Sequence, residues 1–138
     1  MMAKDIYHDT VRTALEKDGW TITDDPLTLR IGKRDLFVDL GAEKLIAAER
    51  EGQKIAVEIK SFISKSPIKD LENALGQYIL YVKILSRLDP ERLLYLAVHQ
   101  EVYINFFSEE IVQIILDDGL IKILVFDPLQ EVITQWID

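Results

Sequence analysis

The 138-residue sequence contains no cysteine, and glycine and proline are sparse, with six and four residues. The absence of cysteine excludes disulfide bonds, thiolate metal sites and a cysteine nucleophile. The few glycines and prolines, together with 49% apolar residues, argue against a disordered chain. A chain of this length and composition suits a single domain over residues 1–138 with a sizeable core.

Long apolar runs are also absent from the sequence. No stretch approaches the roughly 20 apolar residues that span a bilayer. The first ten residues, MMAKDIYHDT, lack the apolar core of a signal peptide. We therefore expect no membrane partner and a cytoplasmic location.

Basic residues are fewer than acidic ones, with 16 Lys and Arg against 24 Asp and Glu and a net charge of −8. Proteins that bind nucleic acid gain much of their affinity from Lys and Arg at phosphates. We therefore expect the isolated chain to bind DNA weakly. A local basic patch, a metal ion or a basic partner protein would be needed for stronger binding.

The apolar pattern predicts an α/β fold in which helices flank a mixed β-sheet, in the order α-β-β-β-α-β-α-β-β. Helices are predicted at residues 5–17, 66–87 and 108–116. Ser66-Pro67 supplies a favoured N-cap and a first-turn proline for the second helix. Strands are predicted at residues 20–23, in two arms of a hairpin within 36–60, and at 92–98, 120–126 and 131–137. Residues 27–31 are a further candidate strand.

The predicted hairpin folds at the turn signal Glu51-Gly52. Leu36, Val38 and Leu40 alternate with Phe37 and Asp39, as in strands, and residues 54–59 are rich in Ile, Val and Ala. Residues 43–51, EKLIAAERE, are good helix formers, so a helix is the alternative for the first arm. The hairpin is preferred because it explains both arms without an extra element.

Glu58 and Lys60 lie two residues apart in the second arm and would project from the same face of the sheet. The predicted turn places Glu43 opposite Lys60, with Glu43 on that face too. Asp39 shares the face but would lie about 13 Å farther along the strand, unless a bulge at Gly41 changes the pairing. Register therefore favours Glu43 as the partner acid of Glu58, whereas residue type favours Asp39.

Two carboxylates and a lysine can support phosphodiester chemistry. Carboxylate oxygens hold Mg²⁺ or Mn²⁺, and such a metal polarises a phosphodiester and lowers the pKa of a bound water. A lysine can stabilise the charge that develops on the phosphate. Many strands contain an E-x-K sequence by chance, so a structural ion pair is the alternative. A buried charged pair is costly unless it is compensated, which favours a functional use.

The order of the elements, with an acid and E-x-K on adjacent strands, resembles the restriction-endonuclease-like, PD-(D/E)xK fold. More closely, four stretches resemble the XisH family, the fdxN element excision controlling factors known from cyanobacteria: KDIYHDTVRTALEKDGWTIT, VDLGAEKLIAAEREGQKIAVEIKSF, ALGQYILY and RLLYLAV. This resemblance covers nearly the whole chain. It implies a role in controlling excision of a DNA element by a site-specific recombinase, together with a companion protein, XisI. It does not imply an established nuclease activity.

The resemblance to the nuclease fold implies catalytic roles for Glu58, Lys60 and either Asp39 or Glu43. The three acids are also the candidate ligands for Mg²⁺ or Mn²⁺. Val38 stands where the motif of that fold has a proline before its acid, which is a departure from the pattern.

Two helices contribute further candidates by the same resemblance. The first helix of the fold often supplies a Glu, but the matching position here holds His8, with Asp9 beside it, so His8 becomes a candidate metal ligand. Gln77 and Tyr81, one helical turn apart, resemble the Q-x-x-x-Y element of RecB-like nucleases and would point the same way. Gln77 is therefore a candidate for positioning substrate.

Three functions compete at this point. The first is an accessory factor in DNA excision, which the whole-chain resemblance and the acidic charge favour. The second is a metal-dependent endonuclease that hydrolyses DNA phosphodiesters. The third is a non-catalytic protein-interaction module whose ion pairs only hold the hairpin. The hairpin and its apolar strands could also supply a homodimer interface.

Overall fold

A computed structural model describes residues 4–44 and 52–138 of the chain. In these ranges the helices are α1 (His8–Lys17), α2 (Pro67–Leu88), α3 (Gln100–Asn105) and α4 (Glu110–Leu116). The strands are β1 (Thr21–Asp24), β2 (Leu27–Ile31), β3 (Arg34–Val38), β4 (Leu40–Lys44), β5 (Gln53–Ile59), β6 (Leu93–His99), β7 (Ile123–Asp127) and β8 (Val132–Ile137). None of the helices in these ranges has the length and apolar character that crossing a membrane requires.

Six strands form one mixed sheet in the order β1-β4-β5-β6-β7-β8, and β2 and β3 form a separate hairpin. The central strands β5, β6 and β7 are parallel, while β1, β4 and β8 join antiparallel to their neighbours. Parallel strands that are covered on both faces are apolar along their whole length, which explains the uninterrupted apolar run in β6. The predicted mixed sheet with flanking helices is confirmed.

Helices cover both faces of this sheet. On one face, Tyr78 of α2 packs in the same buried cluster as Ala56 of β5. On the other face, Val11 of α1 packs in a second cluster with Val57 of β5. Because side chains alternate along a strand, Glu58 projects from the face that α2 covers. This placement brings Glu58, the acid predicted for the functional site, beneath the long helix.

Within the described ranges, five strands precede the long helix, where three were predicted with residues 27–31 as a further candidate, and that candidate is β2. The predicted first arm of the hairpin is in fact two strands, because the chain leaves β3 in the small sheet and enters β4 in the large sheet. Asp39 is the single residue between them. Leu36, Val38 and Leu40 keep a spacing of two across this point, so the pattern could not reveal the change of sheet.

The helix prediction missed α3, and it placed the start of α1 too early, at residue 5 instead of His8. Helix α3 begins after His99, whose ring Nδ1 accepts a hydrogen bond from the backbone N–H of Val102 at 3.4 Å. Histidine is not among the preferred N-cap residues, so the sequence carried no capping signal at this position.

The predicted hairpin register was wrong. Glu43 pairs with Lys54, six positions earlier on β5 than predicted, and Leu40 pairs with Val57. The β4–β5 ladder runs without a bulge at Gly41, and the irregular pairing lies in β1. A hairpin's register is fixed by its turn, and the turn signal used for the prediction was not the centre of the pairing. Residues 45–51, with the alternative between helix and strand there, lie outside the described residues.

Candidate functional site

Asp39 and Glu58 hold each other in place at the junction of the two sheets. The backbone N–H of Asp39 donates to Glu58 Oε1 at 3.3 Å. In return, the backbone N–H of Ile59 donates to Asp39 Oδ2 at 2.7 Å. The Glu58 carboxyl group is therefore fixed by the backbone of Asp39, and the Asp39 carboxyl group by the backbone of the residue after Glu58. Asp39 and Glu43 were the two candidates for the acid beside Glu58. The observed pairing of β4 with β5 places Asp39, and not Glu43, at that position.

Lys60 follows the last residue of β5 and lies on the same face as Glu58. Its Nζ is 3.7 Å from Glu58 Oε2, and a quarter of its side chain is exposed. Its backbone N–H donates to the carbonyl oxygen of Ala97 in β6, which ties this end of β5 to the sheet. The ammonium group thus lies between a buried carboxyl group and solvent.

Burial dominates the electrostatics of the two acids. The Glu58 side chain is 7% exposed, and burial together with the neighbouring Asp39 raises the pKa of Glu58 to about 8. Burial also raises the pKa of Asp39, although the hydrogen bond from Ile59 opposes this effect. The carboxyl pair therefore retains a proton near neutral pH unless a cation neutralises it.

These groups line an open hollow of about 330 Å³. Side chains from α2, from β3 and from the segment before α1 complete its walls. Its lining residues are Lys4, Asp5, Phe37, Asp39, Glu58, Ile59, Lys60, Gln77 and Tyr81. Four of the predicted site residues therefore meet in one place, and Tyr81 joins them.

Gln77 and Tyr81 both face the hollow from α2, as their one-turn spacing predicted. The Gln77 side-chain oxygen is buried and has no hydrogen-bond partner among the described residues. Burial, with a contribution from Glu58 and Asp39, raises the pKa of Tyr81 to about 12. The hollow therefore offers a protonated phenol as a donor, with the Gln77 amide beside it.

The structure does not place His8 in the hollow. His8 is buried on α1, and its Nε2 lies 2.7 Å from Asp25 Oδ1. Arg12 donates to the other oxygen of Asp25. Partial burial acts to raise the pKa of Asp25, but the hydrogen bonds from Arg12 and His8 outweigh it and hold the pKa below its ordinary value. His8 thus fastens α1 to the β1–β2 connection.

Asp5 takes the position by the hollow that was predicted for His8. Its Oδ2 accepts a hydrogen bond from the backbone N–H of Ser61 at 3.0 Å, and its Oδ1 accepts one from Tyr7 at 2.9 Å. Sequence reasoning missed this residue because it placed Asp5 inside the helix. An acid just ahead of a helix, able to accept backbone N–H groups, was the signal that could have revealed it.

Glu43 lies away from these groups, near the other end of β4. Its side chain is half exposed, and its Oε1 is 4.0 Å from a guanidinium nitrogen of Arg92. It borders a different hollow, with Thr21 and Lys54. Glu43 therefore does not join Glu58 and Lys60, which follows from the register.

Over residues 4–44 and 52–138, no group of three or more His, Asp or Glu side chains forms a metal site. The oxygen-bearing groups that do line the hollow include the carboxyl groups of Asp5, Asp39 and Glu58 and the amide of Gln77. Oxygen donors of this kind suit hard divalent cations.

Comparisons with known proteins agree with the sequence motifs. The XisH protein family matches residues 1–134. The crystal structure of an XisH family protein from Nostoc punctiforme is 46% identical in sequence, with a TM-score of 0.86, and the match covers 97% of this chain and 100% of that chain. The structure of a fdxN element excision controlling factor protein from Anabaena variabilis is also 46% identical, with a TM-score of 0.86, over 98% and 100% of the two chains. No curated protein matches the sequence. The resemblance of the sequence to the XisH family is therefore confirmed, and this chain belongs to the XisH family.

Proposed function

We propose that this protein helps to control the excision of a DNA element, and that it contacts a DNA phosphodiester at the hollow around Asp39 and Glu58. The Anabaena variabilis relative, which is 46% identical over almost the whole chain, is named an excision controlling factor. The observation that carries the phosphodiester site is the pair of reciprocally held carboxyl groups with Lys60 beside them.

We also propose that the core is restriction-endonuclease-like. In support, an acid at the start of β4 lies beside an E-x-K on the antiparallel neighbour β5, and β6 continues the sheet in parallel. Helices α1 and α2 cover opposite faces of this unit. Asp5 stands where the first helical segment of that fold would contribute an acid.

The hollow fits a divalent cation such as Mg²⁺ or Mn²⁺. Two close carboxyl groups with raised pKa values would be stabilised in their ionised form by a cation. The buried, unpartnered oxygen of Gln77 offers a further hard donor. Asp39 and Glu58 would hold the cation, with Gln77 assisting, and the cation would supply Lewis acidity toward a phosphodiester.

The chain's own groups would orient the phosphodiester. Lys60, at the exposed side of Glu58, offers a positive charge to a phosphate oxygen. The phenol of Tyr81 can donate a hydrogen bond, because its raised pKa keeps it protonated.

A companion protein and a site-specific recombinase would bring this chain to its DNA. The net charge of −8 supports this part of the proposal, because an acidic protein is repelled by the phosphate backbone unless a partner supplies basic groups.

Calorimetric titration of Mn²⁺ and Mg²⁺ tests the site. We expect saturable binding to the parent protein and its loss in Glu58→Gln, since the amide removes a charged ligand. Glu43→Gln is the matched control, because the same change on the neighbouring strand lies away from the hollow. Equal binding by the parent and Glu58→Gln would refute the cation site.

Metal-dependent hydrolysis of DNA is the second candidate, and the position of Lys60 favours it. We expect any cleavage of plasmid DNA in Mn²⁺ to be lost in Lys60→Ala while cation binding is retained. If the Lys60→Ala protein cleaved DNA at the parental rate, this candidate would be wrong. The excision-control role would stand in that case, since it does not require hydrolysis.

A further inference from the structure

The outward face of α2 packs against no other element in the part of the chain that the structure describes. Ile79 and Leu80 are 38% and 46% exposed at its centre. A methyl group added at Gly76 would have no atom within 4 Å outside the helix. Glycine is a poor helix former, so its position in the middle of an exposed helical face has no local explanation.

The spacing along this face is that of a helix–helix seam. Glu72, Gly76, Ile79 and Lys83 are separated by four, three and four residues, which is the spacing of the contact positions in paired helices. Glycine at such a position lets the backbones of two helices approach closely. A partner helix that carries a branched aliphatic side chain opposite Gly76 would fill the space.

The charged residues on this face of α2 indicate which partner it would bind and in which direction the partner helix would run. Glu72 lies in the first half of α2, and Lys83 lies in the second half at an equal distance from the midpoint between Gly76 and Ile79. Two parallel copies would place Glu72 beside Glu72 and Lys83 beside Lys83. Two antiparallel copies would pair Glu72 with Lys83 at both ends and set Ile79 against Gly76 twice.

We propose that α2 pairs antiparallel with α2 of a second copy of this chain. The interface is isologous, as a two-fold axis requires. Exposed Glu72 contacts Lys69 within its own helix at 3.7 Å, and this weak surface pair is readily exchanged for Lys83 of the second copy.

Helix α4 offers a more exposed apolar face, but its charges disfavour a second copy. Ile111 and Ile114 are 50% and 67% exposed there. They lie among Glu109, Glu110 and Asp117, and the sequence has no Lys or Arg between Arg92 and Lys122. Two such faces would repel each other, whereas α2 carries both signs of charge in complementary halves.

The pairing has a consequence for the candidate site. At roughly 100° per residue, Gln77 and Tyr81, which line the hollow, lie about 100° or more around α2 from each residue of the proposed seam, so a second copy would leave the hollow uncovered. The antiparallel pair would therefore place two hollows symmetrically about one axis. The dimer itself does not depend on the proposed function of the hollow.

Sedimentation equilibrium of the purified protein over a range of concentrations tests the pairing. We expect a reversible monomer–dimer equilibrium for the parent. Gly76→Leu should shift it to monomer without lowering the melting temperature, because leucine blocks the close approach and is a better helix former than glycine.

Charge reversal supplies the decisive variants. Glu72→Lys and Lys83→Glu should each weaken the dimer by roughly tenfold or more at low salt, and the double variant should restore it. Glu110→Lys, the same change on α4, is the matched control and should leave the equilibrium unchanged. A parent that is monomeric at every concentration would overturn the proposal. So would a dimer that neither Gly76→Leu nor the single reversals weaken.

Discussion

Glu58 is buried beside a second carboxyl group, and its pKa of about 8 lies well above the ordinary value of 4.5. Between these two pH values, the folded protein binds a proton that the unfolded chain has released. The stability that Glu58 contributes is therefore fully present below pH 4.5, and it is lost as the pH rises through 8. The ionised site is a destabilising feature when no cation is bound, which is common where residues serve function rather than stability.

We predict that Glu58→Gln stabilises the protein at alkaline pH, by on the order of 2 kcal/mol. The amide keeps a hydrogen-bond acceptor for the Asp39 N–H but removes the buried charge. Near pH 4.5 the two proteins should unfold alike, because Glu58 is protonated there. Urea unfolding at both pH values, without divalent cations, measures the difference. The prediction would be contradicted if the parent protein became more stable from about pH 5 to pH 8 and Glu58→Gln showed the same increase.

The contribution of Asp25 to stability depends on pH in the opposite direction. Its carboxylate accepts from His8 and Arg12, and its pKa lies below the ordinary value of 3.8. Its contribution is therefore present above pH 3.8 and is lost as the pH falls through the lowered pKa. This interaction fastens α1, and with it Asp5, to the site end of the sheet.

We predict that Asp25→Asn destabilises the protein by about 1–3 kcal/mol at neutral pH, because the amide keeps only one oxygen to accept the hydrogen bonds that His8 and Arg12 make to the two carboxylate oxygens. The difference should shrink as the pH falls below 3.8, where the parent carboxyl group also becomes neutral. Asp35→Asn is the control, since Asp35 pairs with exposed Arg30. Chemical unfolding across this pH range distinguishes the two, and an equal loss in both variants would count against the specific role of Asp25.

At the scale of elements, α2 determines where Gln77 and Tyr81 lie, and its start is defined by Ser66. The Ser66 hydroxyl accepts a hydrogen bond from the backbone N–H of Lys69 at 3.3 Å, and Pro67 occupies the first helical position. Such a cap satisfies one of the backbone N–H groups that a helix start leaves unpaired.

We predict that Ser66→Ala costs about 1 kcal/mol of stability. Ser86→Ala, in the last turn of the same helix, should cost less, because the Ser86 hydroxyl only donates to the nearby Lys83 carbonyl. Thermal unfolding of the two variants provides the comparison. If Ser86→Ala proved as costly as Ser66→Ala, the cap would not be what defines this helix start.

The same local signals explain which elements the sequence could predict. Ser66-Pro67 located α2 to within a residue, and the apolar run located β6. The identity of the partner acid could not be decided, because it depends on which residues of β4 and β5 pair. That pairing is a long-range property, and a shift of six positions keeps every side chain on its predicted face. Glu58 and Lys60 could be found because their spacing alone places them on one face, whereas Gln77 was found through its resemblance, with Tyr81, to the Q-x-x-x-Y element.

At the scale of the whole molecule, the net charge of −8 is unevenly distributed. Residues 93–121 contain five acidic residues and no Lys or Arg. This segment includes α3, which begins at the carboxyl end of β6, beside the parallel strand that carries Glu58. Negative potential therefore arises on the same edge of the sheet as the candidate phosphodiester site.

We predict that neutralising this segment strengthens DNA binding by the isolated protein. Glu109→Gln, Glu110→Gln and Asp117→Asn together remove three negative charges from exposed positions around α4. The affinity for a fluorescent DNA duplex, measured by anisotropy in Mg²⁺ at low salt, should rise by about tenfold, because the repulsion of phosphate falls. At high salt the triple variant and the parent should bind alike, since screening removes the difference. An affinity gain that persists unchanged at high salt would show that the acids act by contact rather than by their field. If the triple variant bound no better than the parent even at low salt, the acidity of this segment would not be what limits DNA binding.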